Sequence, residues 1–240
     1  MILAGFLFSG GRVQDEGFKS IFNGQDFEGW VGDDPYWSVK DSAIHGEITA
    51  ETIIDRNRFL IYQGDIPADF ELRLEYRISQ AGNSGINYRS EIVEGLDYYA
   101  LKGYQFDLDG AKNLTGSNYE ERVRSTLAKI GEVTELPTVE GSVSLKPREQ
   151  NFWTARVVTD TLGSKEQLTR QIANGQWNKV HLIVNGYHMQ HFINGVLMSE
   201  VVDKDTVNRR SDGLLGVQVH IGPPMTIEYR NIMVRDLKGP

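Results

Sequence analysis

The chain has 240 residues, of which 40% are hydrophobic and 24% charged, a balance that excludes a disordered chain, a coiled coil and a collagen. The net charge of −8, with no block of Lys and Arg, excludes a protein that gains its affinity from nucleic-acid phosphates. The absence of cysteine excludes disulfides, thiolate metal sites and cysteine nucleophiles.

The N-terminus carries a short apolar run at residues 2–8, followed by small residues at 9–11. The run lacks the basic start of a signal peptide. Residues 1–17 are therefore interpreted either as a tail or as the remnant of an export signal, and both alternatives stay open. No stretch approaches the roughly 18 apolar residues that cross a bilayer. We expect residues 18–240 to form a single domain.

Alternation of apolar and polar side chains predicts the strands, and the clearest run is Phe70 to Ile78. Further strands are predicted at 43–49, 59–62, 86–89, 103–109, 155–159, 180–184, 189–193, 196–202, 214–220 and 226–234. Asn-Gly pairs at 185–186 and 194–195 predict hairpins, so 180–202 should be a meander. We expect a turn at 82–85, a helical turn within 119–128, a loop at 141–150 and a short helix within 164–173.

Ten or more short antiparallel strands in about 220 residues predict an all-β fold, either a two-sheet sandwich or a closed barrel. The sandwich is favoured, because the polar faces of several strands carry more than simple charge. A curved sandwich presents one concave sheet, and we expect ligands to bind on that face.

Three predicted strands carry polar groups on the face away from the core. The residues of this face are Asn87, Arg89, Gln105, Asp107, Asp109, Gln218 and His220. A solvated sheet face prefers Lys, Glu and Thr, whereas amides and carboxylates form the paired hydrogen bonds that sugar hydroxyls need. The pattern therefore indicates a carbohydrate ligand.

Asp107 and Asp109 lie two residues apart on one strand, so about 6.5–7 Å separates their Cα atoms. Such a pair could divide general acid and base roles, as glycosidase carboxylates do. Asp109 also fits a strand end that runs into the turn at Gly110, and this structural interpretation is favoured for Asp109. For Asp107 the functional one is favoured. His220 beside a carboxylate could act as acid or base.

The other histidines give no metal-binding pattern. His188 and His191 are three residues apart and fall on opposite faces of a strand, and we interpret both, with His181, as structural. No cofactor motif is present. The residues leave open whether a divalent cation assists, and they give no indication of oligomeric state. Asp33-Asp34 or Asp203 with Asp205 could ligate Ca²⁺ in a third interpretation, an adhesion or scaffold domain.

Nine short segments then form a series. They are FNGQDFEGW (22–30), DFEL (69–72), GNSGINYR (82–89), GYQFD (103–107), TGSNYEE (115–121), QWN (176–178), NG (194–195), GVQVH (216–220) and YRNI (229–232). In order and spacing this series resembles the 3-keto-disaccharide hydrolase domain family, once known as DUF1080, over residues 17–237. The resemblance implies a concanavalin A-like jelly roll, a bacterial origin, frequent export and action on glycosides whose C3 hydroxyl has become a ketone.

The resemblance also sharpens the site. Related jelly-roll endoglucanases carry a nucleophilic Glu at the start of an acidic strand motif, where the corresponding residue here is Gln105. A retaining mechanism on this strand is therefore not expected. A 3-keto sugar can instead react by removal of its C2 proton and departure of the C1 substituent.

This chemistry needs a base, an electrophile at the C3 oxygen and an acid for the leaving group. We expect Asp107 or His220 as base, Asn87 with Arg89 at the ketone, and Glu121 as acid. Gln105, Gln218 and Asp109 complete the expected substrate contacts. The alternative is a non-catalytic carbohydrate-binding module on the same fold.

Overall fold

A computed structural model describes residues 16–139, 151 and 153–238. The predicted N-terminal segment, apart from residues 16 and 17, and the predicted loop at 141–150 lie outside these residues. The single-domain organisation stays a prediction.

The described residues form seventeen strands, one short α-helix and one 3₁₀ turn. The strands are β1 Lys19–Ser20, β2 Trp30–Gly32, β3 Trp37–Lys40, β4 Ala43–Ile48, β5 Arg58–Tyr62, β6 Phe70–Ile78, β7 Asn83–Ile92, β8 Leu101–Asp109, β9 Asn118–Glu121, β10 Ser125–Ala128, β11 Glu132–Leu136, β12 Val157–Thr161, β13 Asn178–Asn185, β14 His188–Ile193, β15 Val196–Asp203, β16 Leu214–Val219 and β17 Met225–Asp236.

The strands build two sheets. The ten-stranded sheet has the order β12-β11-β15-β14-β13-β6-β17-β4-β3, with β1 added beside β17, and the seven-stranded sheet has the order β10-β9-β8-β7-β16-β5-β2. Among the described strands every pair is antiparallel except β11 with β15. The predicted two-sheet antiparallel sandwich is confirmed, and β13, β14 and β15 form the predicted meander.

The core lies between the two sheets and follows from the period-two alternation of their strands. On β6, Phe70, Leu72 and Tyr76 are at most 1% exposed. Ile86 of β7 and Phe106 of β8 reach the same cluster from the seven-stranded sheet. Burying each such side chain contributes about 1.5–3 kcal/mol. Since the inward positions are apolar, the polar residues between them are left on the outer face.

Several observed elements differ in type or in bounds from those predicted. The turn expected at 82–85 ends at Gly82, whose N–H donates to Ser79 O, and β7 begins at the next residue. The helical turn expected within 119–128 is instead the hairpin of β9 and β10. The strand expected at 155–159 starts at Val157. The patterns did not predict β1, β2, β3 or β11.

The short helix expected within 164–173 is confirmed. It runs Lys165–Leu168, continues as a 3₁₀ turn over Thr169–Gln171, and starts with a reciprocal capping box between Ser164 and Gln167. Within the part of the chain described, no helix has the length and apolar character needed to cross a membrane.

Candidate functional site

The outer face of the seven-stranded sheet gathers polar side chains in two adjacent rows across its central strands. In the first row, Gln218 lies opposite Gly85 and Gly85 lies opposite Asp107. In the second row, Asn87 lies opposite Gln105, which lies opposite Tyr119 of β9. Rows are about 7 Å apart and neighbouring strands about 4.8 Å apart, so these groups form one patch.

A directed chain of hydrogen bonds runs through this patch. Gln218 Nε2 donates to Gln105 Oε1 across 3.4 Å, and Gln105 Nε2 donates to Asp107 Oδ1 across 2.8 Å. Gly85 makes this arrangement possible, because a Cβ at that position would lie 2.6 Å from the side chain of Gln105. The chain fixes the orientation of the Asp107 carboxyl group.

Asp107 is the most strongly perturbed acid of the patch. Burial raises its pKa to about 8, the bond from Gln105 opposes this rise, and the negative charges of Glu121 and Asp109 add to it. At pH 7 the carboxyl group is therefore mainly protonated and can give up a proton. Groups with pKa values near the working pH are those suited to general acid or base catalysis.

Three amide atoms in the patch have no protein partner. Both side-chain polar atoms of Asn87 and the Oε1 atom of Gln218 are buried without a hydrogen bond. An unsatisfied buried polar group costs about 1–3 kcal/mol, and most such groups in proteins are paired. The arrangement offers one donor and two acceptors to a hydroxylated ligand.

Apolar residues cover the end of the patch that lies toward β5. Phe59 and Ile61 of β5 and Leu101 of β8 pack there with residues 93–100, which we call the roof loop. The backbone N–H of Tyr99 donates to both carboxylate oxygens of Asp33, each at 3.2 Å. These contacts anchor the loop on the β5 side.

Tyr98 connects the roof loop to the β9 side of the patch. Its ring lies 4.7 Å from the guanidinium carbon of Arg58, and its hydroxyl accepts a hydrogen bond of 3.3 Å from Arg122 Nη2. Because Arg122 directly follows Glu121, Tyr98 links the two sides of the site. Tyr98 and Tyr119 are the site residues that sequence reasoning missed, although Tyr119 lies inside the quoted TGSNYEE segment.

His220 follows β16 on the face of Gln218. Its Nδ1 lies 2.7 Å from the carbonyl oxygen of Ile221, which fixes the proton on Nδ1 and leaves Nε2 as an acceptor. Burial lowers the pKa of His220, so the imidazole is neutral at pH 7. His220 lies two strands and one row from Asp107, which puts their Cα atoms about 12 Å apart.

Glu121 lies on the same face at the end of β9, opposite Gly103. Its side chain is 13% exposed, and Oε1 is 3.9 Å from Arg122 Nε. The face thus brings together five predicted residues, with His220 at its edge. These five are Asn87, Gln105, Asp107, Glu121 and Gln218.

Arg89 does not share the face of Asn87, contrary to the alternation-based prediction. Its φ of +44° lies at a register shift in β7, which ends the alternation there. The guanidinium donates to Ala68 O and pairs with Asp69 at 3.3 Å, and its side chain is only 3% exposed. The bulge has turned Arg89 toward the other sheet, where its contacts are structural.

Asp109 has the structural surroundings that the sequence favoured. Its carboxylate accepts hydrogen bonds from the backbone N–H groups of Asn113, Leu114 and Thr115, at 2.8–2.9 Å. It holds the loop after β8, and this loop in turn supplies the N–H of Gly116 to the backbone oxygen of Asp107.

Two of the acids considered for Ca²⁺, Asp203 and Asp205, have protein partners. Asp203 and Asp205 both bind the fully buried guanidinium of Arg124, which also pairs with Glu120. Arg124 therefore supplies the positive charge that this cluster needs. The described residues hold no group of three or more His, Cys, Asp or Glu side chains arranged to hold a metal ion.

His181, His188 and His191 occupy the separate positions predicted for them. His191 is buried, stacks on Phe106 at 4.1 Å and faces Tyr88, whereas His188 pairs with Glu200 on the opposite side of the strand. Burial lowers the pKa of His191 to about 3, so it stays neutral. His181 pairs with Glu71 on the outer face of the ten-stranded sheet.

A jelly-roll sandwich with an amide-rich outer sheet face has the architecture of lectin-like carbohydrate domains. Comparison with known families gives the assignment. The chain belongs to the family of 3-keto-alpha-glucoside-1,2-lyase-like domains, whose model matches residues 17–235.

Individual relatives are more distant. A 3-keto-disaccharide hydrolase from Bacteroides thetaiotaomicron is 33% identical over 92 residues, which cover 35% of this chain and 31% of that protein. The matched segment thus spans about a third of that relative's length. A candidate glycosyl hydrolase from Parabacteroides distasonis has a TM-score of 0.54 at 20% identity and covers 92% of this chain and 94% of its own.

A carbohydrate-binding module shares the fold. The carbohydrate-binding module CBM66 from Bacillus subtilis has a TM-score of 0.52 at 13% identity, covering 88% of this chain and 97% of its own. At these identities the structural likenesses establish the fold alone.

Proposed function

We propose that the protein cleaves 3-keto glycosides on the outer face of the seven-stranded sheet. The observation that carries this proposal is the protonated, oriented Asp107 beside the unpartnered amides of Asn87 and Gln218. Family membership supports the substrate class. Export from a bacterial cell stays a prediction of the resemblance.

His220 acts as the base. Its neutral imidazole takes the C2 proton at Nε2, because Nδ1 already carries a proton directed at Ile221 O. The electron pair from the C–H bond forms an enolate, whose C3 oxygen accepts a hydrogen bond from Asn87 Nδ2. A separation of about 12 Å between the Cα atoms of His220 and Asp107 leaves room for a sugar ring between their side chains.

Asp107 acts as the acid. The C1–O bond breaks with its electrons passing to the leaving oxygen, and the Asp107 carboxyl group gives that oxygen its proton. Water adding at C1 of the resulting enone completes hydrolysis, and without this addition the reaction ends as elimination. Burial is the main reason that Asp107 keeps its proton, and Glu121, expected as the acid from sequence, adds a negative charge that raises the pKa of Asp107 further.

The test compares a 3-keto-disaccharide with its unoxidised parent, each followed by NMR in D₂O. Cleavage of the keto sugar alone, with exchange of its C2 proton, supports the proposal. Asp107→Asn should reduce turnover by at least about 100-fold, the usual contribution of a general acid. Asp160→Asn, an exposed carboxylate on β12, is the matched control and should keep full activity. Full turnover by Asp107→Asn overturns the assignment.

Carbohydrate binding without cleavage is the second candidate. The amides of Asn87, Gln105 and Gln218 favour it, because amides bind hydroxyls but transfer no protons at neutral pH. In that case Asp107→Asn keeps its affinity for the parent sugar, and neither sugar is turned over.

A further inference from the structure

The order of the strands decides on which side of the site the leaving group of the substrate lies. His220 follows β16 and Asp107 lies on β8, with β7 between them, and β9 is the next strand beyond Asp107. In the proposed cleavage His220 contacts the ring that carries the ketone, and Asp107 protonates the C1 oxygen. The leaving group therefore extends from Asp107 away from His220, over β9 and the neighbouring β10.

Tyr119 of β9 presents an aromatic ring at this place. It lies directly opposite Gln105, which puts its half-buried side chain on the outer face that also carries Asp107. Burial raises the pKa of Tyr119 to about 12, and the negative charges of Glu121 and Asp107 add to this rise. The phenol is therefore close to both acids and stays neutral at pH 7.

A hydrogen bond holds this ring along the surface of the sheet. The Tyr119 hydroxyl donates to Asn151 Oδ1 across 3.0 Å. Asn151 lies on the far side of β10, where its carbonyl oxygen accepts from the backbone N–H of Thr126 at 3.2 Å. Because Thr126 is the cross-strand partner of Tyr119, the tyrosine side chain extends over β10 to reach Asn151. The ring thus leans across β10 and turns one face toward solvent.

An aromatic face held in this way suits a pyranose ring. The C–H groups on one side of a pyranose form an apolar surface that packs on an aromatic ring, whereas the hydroxyls at its rim need polar partners. Glu121, two residues further along β9, lies on the same face. A carboxylate accepts several hydrogen bonds at once, so Glu121 can accept from a hydroxyl in addition to its contact with Arg122.

We propose that Tyr119 is a specificity-determining residue that binds the leaving sugar of a 3-keto-disaccharide by stacking on its ring, with Glu121 accepting from one of its hydroxyls. This inference rests on the proposed cleavage at Asp107 and adds a second subsite, which selects a sugar over an alkyl group as the leaving group. Contacts with a ring that does not react hold the C1 oxygen at the acid, so a substrate without that ring should lose kcat/KM.

Two substrates test the inference, a 3-keto-disaccharide and trifluoroethyl 3-keto-glucoside. Their leaving alcohols are of similar acidity, but only the disaccharide offers a second ring. For the wild type, kcat/KM should be at least about tenfold higher for the disaccharide. Tyr119→Ala should bring the ratio of the two kcat/KM values close to one, and Tyr119→Phe, which keeps the ring, should retain most of the preference. Tyr187→Ala, at an exposed tyrosine between β13 and β14, is the control and should keep the wild-type ratio.

A second measurement needs no altered protein at the test stage. The NMR signals of the Tyr119 ring, assigned by their absence from the spectrum of Tyr119→Phe, should shift when the unoxidised parent disaccharide is added to the wild type, and trifluoroethyl glucoside should not shift them. A ratio near one in the wild type, an unchanged ratio in Tyr119→Ala, or ring signals that do not respond to the disaccharide overturns the inference. Cleavage of neither keto sugar, together with a shift of the ring signals, overturns the proposed cleavage and leaves the stacking on Tyr119 supported.

Discussion

The amide of Gln105 donates to the carboxyl group of Asp107 across 2.8 Å, on a strand where the two residues share one face. This bond orients a buried acid without neutralising it, because an amide brings no charge. The pKa of Asp107 therefore stays high, at about 8. A lysine or arginine at position 105 would hold the carboxyl group ionised and remove its proton.

The first prediction concerns the pH dependence of stability. The pKa of Asp107 is about 8 when folded and about 3.9 when unfolded, so between these values only the folded chain holds the proton. The contribution of Asp107 to stability therefore falls as pH rises from about 4 to about 8. Urea unfolding should show Asp107→Asn gaining stability over the wild type across this window, by a few kcal/mol on the order of the shift. A difference independent of pH contradicts the raised pKa.

A second prediction separates binding from stability at Asn87. Asn87→Leu removes two buried, unpartnered polar atoms and should raise the free energy of unfolding by about 1–3 kcal/mol while abolishing turnover. Asn118→Leu is the matched control, because Asn118 Nδ2 donates to the Tyr88 hydroxyl at 3.0 Å. That variant should lose stability. Loss of stability in Asn87→Leu contradicts a ligand-binding role for its amide.

Arg89 is expected to matter for folding and not for turnover. Arg89→Ala removes the buried guanidinium that donates to Ala68 O and pairs with Asp69. Asp69 keeps its bonds from Gly186 N and Lys238. The variant should lower the free energy of unfolding by about 1–3 kcal/mol. Assayed at a temperature where it stays folded, the variant should keep its kcat within a factor of about three, since ~0.6 kcal/mol is the most we assign to indirect effects. A large fall in kcat with unchanged stability would show that Arg89 has a role in the site.

The roof loop should open more readily when its link to Arg122 is cut. Tyr98→Phe keeps the ring on Arg58 and loses only the hydroxyl that accepts from Arg122. Melting should change little, because one exposed hydrogen bond contributes about 1 kcal/mol or less. Hydrogen exchange at residues 93–100 should accelerate, whereas Tyr36→Phe, whose ring also lies on Arg58, should leave it unchanged. Equal rates of hydrogen exchange at residues 93–100 in the two variants would contradict a role for the hydrogen bond between Tyr98 and Arg122 in holding the loop.

The Arg124 cluster gives the test of the calcium interpretation. Arg124→Met leaves the carboxylates of Glu120, Asp203 and Asp205 buried without their cation. The variant should be strongly destabilised at pH 7 and recover in part as the pH is lowered and Glu120, whose pKa is raised by burial, takes up a proton. A chelator should not change the melting of the wild-type protein. Loss of stability on chelation revives the calcium interpretation.

Strong alternation made some elements predictable to the residue. The strand from Phe70 to Ile78 is observed with those bounds, because one of its faces is buried and every second residue must be apolar. The same period placed Asn87, Gln105 and Asp107 on one outer face. It failed at Arg89, because a positive φ in a non-glycine residue breaks the period and leaves no mark in the sequence.

The prediction of a helical turn within 119–128, where the structure has the hairpin of β9 and β10, is wrong for a different reason. Glu120 and Arg124 resemble the i, i+4 pair of a solvated helix, yet both are fully buried. Their burial depends on Asp203, which lies far along the chain. No local pattern predicts an ion cluster that forms only when distant strands meet.

The sequence by itself determined the all-β sandwich and the strands that bear the site, since both follow from the alternation of neighbouring residues. Only the tertiary structure decided the state of the site. The proton on Asp107 depends on burial and on the charge of Glu121, and the apolar cover at the β5 end of the patch depends on packing between Phe59 and the loop at 93–100. Alternation is a relation between residues that are adjacent in the sequence, so the sequence alone reveals it. Desolvation of a side chain and its cover by a loop arise only where segments remote in the sequence pack together and exclude water.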